Sequence, residues 1–350
     1  MTHQPQPVPP AAEGGGRDGF ARRKLLGMLS ATWLAQSCYA LVKLGVPDLL
    51  AGGPRTAEDL AVATGADPHA LRRLLRALAS AGLLKQPAPG TYALGPVTEL
   101  LRSDAPGSAH LTALMYGEEI FRSFAEIEYT VRTGRPAFEK VHGQPFYAYL
   151  DANPDAAYTF HTAMGDQSVP AVLSTCDLAG VRTIVDVGGG NGSLLAAVLA
   201  EYPQMRGVLA DLPDAVRHAR TRLRERVDFV EGSFFAHVPA GGDAYVLCRV
   251  LHNWTDERAV ALLRRVRAAM APGARLIVLE EFLPEDATAG SATAGMVDLL
   301  MLVTLEGHDR TEAEYRALLG KAGFDVLAAR PGAGPGTEGV IEATAGGDEA

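Results

Sequence analysis

Thr183–Gly192 reads T-I-V-D-V-G-G-G-N-G. Gly188, Gly189, Gly190 and Gly192 lack Cβ atoms and accept positive φ, so a ligand can approach this backbone closely. Asp186 stands just ahead of them. The apolar Ile184, Val185 and Val187 read as a buried strand, and a helix is expected from Ser193 to Tyr202. Strand, glycine turn and helix N-terminus in that order form a nucleotide site at the carboxyl end of a parallel strand. Asp211, followed by Leu212, closes the next apolar run, Gly207–Ala210. A carboxylate placed there can accept both hydroxyls of an adenosyl ribose. The glycines read G-x-G-x-G rather than the dinucleotide G-x-G-x-x-G, and no Lys-Ser/Thr ending marks a P-loop. His252 follows the apolar run Tyr245–Leu251, at the strand edge where ligands bind. An imidazole with an ordinary pKa near 6.5 is suited to accept a proton near neutral pH.

Alternating strands and helices must position these groups. Strands are expected at Thr183–Val187, Val208–Asp211, Val227–Val230, Tyr245–Cys248 and Arg275–Leu279, with the clearest helix at Asp256–Met270. That alternation indicates an α/β fold with a parallel sheet. Phe324–Leu327 and Gly339–Ala343 have only a Pro/Gly-rich loop between them, too short for a crossover helix, so they are expected to pair antiparallel. A mostly parallel seven-stranded, Rossmann-like sheet follows, assigned to residues 176–345.

Residues 1–19 are rich in Pro and Gly and are expected to form a disordered tail. Residues 20–105 read as helices followed by a hairpin. Thr56 caps one helix, Asp67-Pro68 opens another that ends at Ala81-Gly82, and Leu83–Lys85 with Thr91–Leu94 form the hairpin. This winged-helix pattern has two readings: DNA binding through Arg72, Arg73 and Arg76, or dimer packing. Acidity and the lack of a basic wing favour the second. Residues 106–175 are helical and aromatic, and Tyr116, Phe146 and Met164 are candidates for a substrate pocket.

Across 350 residues the net charge is −9 and 47% of residues are hydrophobic. This suggests at least two domains and argues against nucleic acid or an anionic membrane as partner. Cys38, Cys176 and Cys248 form no C-x-x-C pair, so neither a zinc site nor a disulfide framework is expected. No apolar run approaches the ~20 residues of a membrane span, and a cytoplasmic setting is inferred.

Taken together, D-V-G-G-G-N-G, L-A-D-L-P at Leu209–Pro213, E-G-S-F-F at Glu231–Phe235, R-V-L-H-N-W-T-D at Arg249–Asp256, L-E-E-F-L-P at Leu279–Pro284 and D-R-T-x-x-E-Y at Asp309–Tyr315 resemble the class I S-adenosylmethionine-dependent small-molecule O-methyltransferases. These include plant phenylpropanoid and flavonoid enzymes and bacterial aromatic-polyketide enzymes. The resemblance runs from about Arg22 to Ala343 and implies a homodimer. It implies that the glycine turn and Asp186 surround the methionine portion and ribose of the cofactor, and that Asp211 binds the ribose hydroxyls. Ser233 and Phe234 would hold the adenine, with Cys248 or Arg249 nearby. It implies His252 as general base, Glu280 as the acid orienting it, and Asp309 at the place of a second acid. Ser233 stands where relatives usually carry Asp, Cys248 where plant relatives carry Lys, and Asp309 is shorter than the usual Glu.

A phenol with pKa about 10 needs a base at neutral pH, and the resemblance supplies one. Asn253, Asp298 and Met301 are further pocket candidates. No acidic cluster suggests a catalytic magnesium. Three alternatives stand beside this reading: a relative that binds the cofactor without transferring methyl, a winged-helix regulator with a metabolite-sensing domain, and, disfavoured by the glycine spacing, a nicotinamide oxidoreductase.

Overall fold

The computed structural model describes residues 15–165, 171–223, 225–286, 292–334 and 337–347. It divides into two compact units, Met1–Gly117 and Glu118–Ala350.

The first unit begins with a helix, Gly15–Lys43, four residues ahead of the expected end of the tail. The rest of that expected tail lies outside the described residues. Phe20, Leu25, Met28, Leu29 and Trp33 are exposed along this helix, Trp33 at 76%. Its Gly19–Lys43 part is long and apolar enough to cross a bilayer by length and composition alone. Arg22, Arg23 and Lys24 interrupt it, so no unbroken apolar run marks it in the sequence. Helices Ala57–Thr64 and Pro68–Ser80 start where expected. The Thr56 side chain accepts from Asp59 N, and that of Asp67 from Ala70 N. Strands β1 (Arg55–Thr56), β2 (Leu84–Ala88) and β3 (Thr91–Leu94) form a small sheet in the order β1-β3-β2. β1, at two residues, is too short to show periodicity. Leu41, Leu60, Leu75, Leu78 and Tyr92 form the core.

The second unit holds β4 (Thr183–Val187), β5 (Arg206–Asp211), β6 (Val227–Glu231), β7 (Ala244–Cys248), β8 (Arg275–Glu280), β9 (Phe282–Leu283), β10 (Arg310–Thr311), β11 (Phe324–Arg330) and β12 (Gly339–Ala345). Seven of them form one sheet in the order β11-β12-β8-β7-β4-β5-β6. β4 to β8 run parallel, whereas β12 is antiparallel to both β8 and β11. Alternate residues face opposite sides, as the pleat requires. Val185, Val187, Tyr245, Leu247, Leu276 and Val278 pack against helices Asp256–Ala269 and Glu312–Lys321. Ile184, Val246, Ile277 and Leu279 pack against Ser193–Glu201 and Pro213–Arg222. Both faces are therefore buried, which explains the near-continuous apolar strands.

The glycine turn leaves β4 and the His252 segment leaves β7, and these strands are neighbours. β9 and β10 form a separate two-residue parallel pair, Arg310 opposite Phe282 and Thr311 opposite Leu283. This pairing brings the segment bearing Asp309 beside the end of β8, where Glu280 sits.

Candidate active site

Beyond β7 the chain turns sharply, and His252 lies on a single 3-10 turn, Leu251–Asn253. Its Nδ1 is 2.9 Å from Asp309 Oδ1 and 3.7 Å from Glu280 Oε2. The order of the two carboxylates differs from the expectation. Asp309, despite its shorter side chain, makes the direct hydrogen bond. Glu280, fully buried, chiefly braces the backbone: its Oε1 accepts from Val250 N at 3.0 Å and Leu251 N at 2.7 Å. Asp309 reaches because its loop lies tight against the His252 turn. A Cβ on Gly307 would collide with the backbone carbonyl of His252.

With a carboxylate on Nδ1, the neutral imidazole carries its proton there and leaves Nε2 as the acceptor. Burial disfavours the charged ring, but the Glu280 charge and the Asp309 hydrogen bond outweigh it and hold His252 above its ordinary value. Burial also raises Glu280, against the pull of His252.

Arg310, to which the motifs gave no role, and Asp298, a pocket candidate, complete the frame. Arg310, 1% exposed, donates to Asp256 Oδ1 at 3.0 and 2.9 Å, and to the carbonyls of Leu251, Trp254 and His308. It ties the turn before His252 to the loop before Asp309. Asp298 Oδ1 accepts from Asp309 N at 3.0 Å. Asn253 Nδ2 donates to Arg249 O at 3.0 Å, so that side chain serves the turn.

In the glycine turn, φ is 76° at Gly188, 56° at Gly190 and 78° at Gly192. A Cβ on Gly188 would lie 2.9 Å from Val250 Cγ2, and one on Gly189 2.6 Å from Asp186 Oδ2. Asp211 is oriented by two amides, accepting from Gly190 N at 2.8 Å and Leu212 N at 2.6 Å. Asp186 is buried with Oδ2 lacking a hydrogen-bond partner. Burial first, and then the Asp211 charge, push its carboxyl up to about 7. A buried, unsatisfied carboxylate beside a turn where Cβ atoms at Gly188, Gly189 and Gly192 would collide fits a bound group that supplies hydrogen bonds or positive charge. S-adenosylmethionine has both.

Phe234 contacts Phe235 and Trp254 edge-on, and Tyr147 stacks on Trp254 at 5.7 Å. Phe146 packs edge-on against Tyr147 and Phe160 at 5.5 and 5.0 Å. An apolar ring cluster thus runs from Phe146 to Phe234. Tyr147 and Phe160 were not singled out from sequence, because aromatic residues in helices read equally as core; Trp254 lies in the R-V-L-H-N-W-T-D motif without an assigned role. Ser233 Oγ accepts from Phe235 N at 3.3 Å. Burial pushes the Cys248 thiol up, so it stays protonated. Met301 is buried and Met164 half-buried. Tyr116, 48% exposed, belongs to the first unit. No group of three metal-ligating side chains occurs among the described residues.

The sheet, glycine turn and Asp211 define a Rossmann-like S-adenosylmethionine-dependent methyltransferase. Residues 124–325 match the O-methyltransferase domain family, and residues 26–104 match the O-methyltransferase dimerisation domain. The chain belongs to that family of small-molecule O-methyltransferases. It is 39% identical over 308 residues to a phenazine O-methyltransferase of Lysobacter antibioticus, covering 86% of this chain and 90% of that one. It is 41% identical over 307 residues to the 8-amino-8-demethylriboflavin N,N-dimethyltransferase of Streptomyces davaonensis, covering 84% and 87%. A solved O-methyltransferase from neocarzinostatin biosynthesis, in complex with S-adenosylmethionine and 2-hydroxy-5-methyl naphthoic acid, is 33% identical. It superposes with a TM-score of 0.79, covering 89% of this chain and 96% of that one. S-adenosylmethionine is the cofactor.

Proposed function

We propose that the protein methylates a phenolic hydroxyl of an aromatic specialised metabolite, with His252 as general base. The observation that carries this is the buried His252–Asp309 hydrogen bond at the carboxyl edge of the sheet, one strand from the glycine turn. Asp186, the glycine turn, Asp211, Leu212, Ser233 and Phe234 would hold the cofactor, whose sulfonium supplies an activated methyl group. The protein's own task is to hold the acceptor in line, exclude water and remove the phenol proton. Nε2 of His252 takes that proton, and Asp309 and Glu280 stabilise the resulting imidazolium. Phe146, Tyr147, Phe160 and Met301 offer flat, apolar packing for an aromatic acceptor. We further propose a cytoplasmic homodimer. The exposed apolar side of Gly15–Lys43 overlaps the dimerisation-domain match, which supports the dimer.

A second reading is transfer to an aromatic amine, favoured by the 41% identity to an N,N-dimethyltransferase. One experiment separates these readings. The protein is incubated with S-adenosylmethionine and a panel of phenols, naphthols and aminoarenes, with mass detection. A methyl ether together with S-adenosylhomocysteine is the expected result. N-methylation establishes the second reading. Cofactor binding with an altered but unmethylated acceptor overturns both.

Asp186 yields a pH prediction. Its carboxyl is raised to about 7 in the free protein. A cationic ligand favours the carboxylate and so lowers it. Cofactor binding near pH 6.5 should therefore release a proton. Calorimetry in buffers of different ionisation enthalpy should show that release in the wild type and lose it in Asp186→Asn.

A further inference from the structure

The turn before His252 adopts a conformation that its sequence would not choose. Arg249 has φ 55°, in the left-handed region that residues with a Cβ seldom enter. Such a conformation persists only where its surroundings over-determine it. Arg249 N donates to Leu279 O at 2.9 Å, and its carbonyl accepts from Asn253 Nδ2 at 3.0 Å. Its Nε is paired with Glu338, one residue before β12, and both side chains are largely buried, at 24% and 16% exposure. This turn aims the amides of Val250 and Leu251 together at Glu280 Oε1. It also delivers the His252 ring to Asp309.

Charge enters the same arrangement. The groups acting on the His252 ring are Glu280 from β8 and Asp309 from the loop before β10, which favour its charged form, and Arg249 from the end of β7, which opposes it. The charges of Glu280 and Asp309 also reach the buried Tyr315 hydroxyl. Glu338 neutralises Arg249. A salt bridge between largely buried partners is screened little by solvent, so the balance within the pair is felt nearby.

We infer that Arg249 and Glu338 form a positioning pair for His252: their contact holds the left-handed turn, and the balance of their charges sets the field at the imidazole. This rests on His252 being the base, so the test observes the ring itself as well as turnover. The His252 imidazole is titrated by NMR in the full-length protein, with His252→Asn providing the assignment, and kcat/KM is followed against pH. Glu338→Gln leaves the Arg249 charge uncompensated, so His252 should titrate at lower pH than in the wild type. Arg249→Gly removes that charge and accepts the same φ, so His252 should titrate at higher pH. Each variant should change the ratio of neutral to charged His252, read at the wild-type midpoint, about threefold, in opposite directions. Arg249→Ala removes the charge and strains the turn, so it should lose more kcat than Arg249→Gly.

Unmoved titrations, or shifts in the same direction, overturn the inference. Equal kcat in Arg249→Ala and Arg249→Gly removes the role of the turn. Opposite NMR shifts with an unmoved kcat/KM limb support the pair and overturn His252 as base. Glu338→Gln is isosteric, so the charge test survives even if an Arg249 variant fails to fold.

Discussion

His252→Ala is expected to lower kcat on a phenol by about 10²–10⁴, the range that a positioned general base contributes. Cofactor affinity should stay within a few-fold of wild type, because the glycine turn and Asp211 are built on β4 and β5 while His252 is built on β7. The direct test is single-turnover methylation together with cofactor titration on the same preparation. Wild-type-like turnover would remove the assignment. The pH profile carries a sign as well. Only the neutral ring accepts a proton, and Glu280 and Asp309 hold His252 above its ordinary value. The wild-type kcat/KM should therefore fall on the acid side at a pH above 6.5, and that limb should vanish in His252→Ala. A more acidic acceptor phenol needs less help from a base, so the penalty of the substitution should shrink across a series of acceptors as phenol pKa falls.

Asp309→Asn keeps a hydrogen-bonding group against Nδ1 but removes a charge that favours the imidazolium. The acid limb should then move to lower pH while kcat falls. Glu280 acts differently. Its Oε1 serves the amides of Val250 and Leu251, so removing it disturbs the turn that presents the ring as well as the charge. The two carboxylates look interchangeable in a motif, and their hydrogen bonds separate them.

The glycine turn and the strands were legible because each rests on a local signal: absence of Cβ atoms, an apolar run, a following helix. The antiparallel end of the sheet was legible from a loop too short to cross over. The pairing of Asp309 with His252 depends on contacts distant in sequence: the two-residue strands β9 and β10, and the approach of Gly307 to the His252 carbonyl. Strands that short carry no period, and the need for glycine at 307 appears only when the two loops meet. The left-handed φ of Arg249 was equally hidden, since nothing in R-V-L-H favours it. Residues 106–175 read as helical, with no internal boundaries marked. The chain there is a series of short helices, including Phe121–Phe124, Ile127–Thr133, Ala137–His142 and Phe146–Ala152, because Gly134 and Gly143 end turns in left-handed geometry.

Arg310→Met is expected to destabilise the protein by about 3 kcal/mol, although Arg310 touches neither ligand in the proposed scheme. The motif D-R-T gives this arginine no role, and it stands just before Thr311, which caps helix Glu312–Lys321. It is buried, with Asp256, 46% exposed, as its ionic partner. Solvation of Asp256 decides the source of the loss. Its charge remains in contact with water when the arginine is removed, so a stranded ion is not the main cost. The carbonyls of Leu251, Trp254 and His308 lose a donor, at about 1–3 kcal/mol for each that is left buried and unsatisfied. A domain of this size loses about 2–4 °C of melting temperature per kcal/mol, so the melting point should drop by about 6–12 °C. Below that temperature kcat should fall more than cofactor affinity, because Arg310 joins the two segments that carry His252 and Asp309. Arg310→Lys should recover little. An ammonium on a flexible stem cannot reproduce a planar fork that serves one carboxylate and three carbonyls. A melting point within 2 °C of wild type in Arg310→Met would show that these carbonyls find other donors.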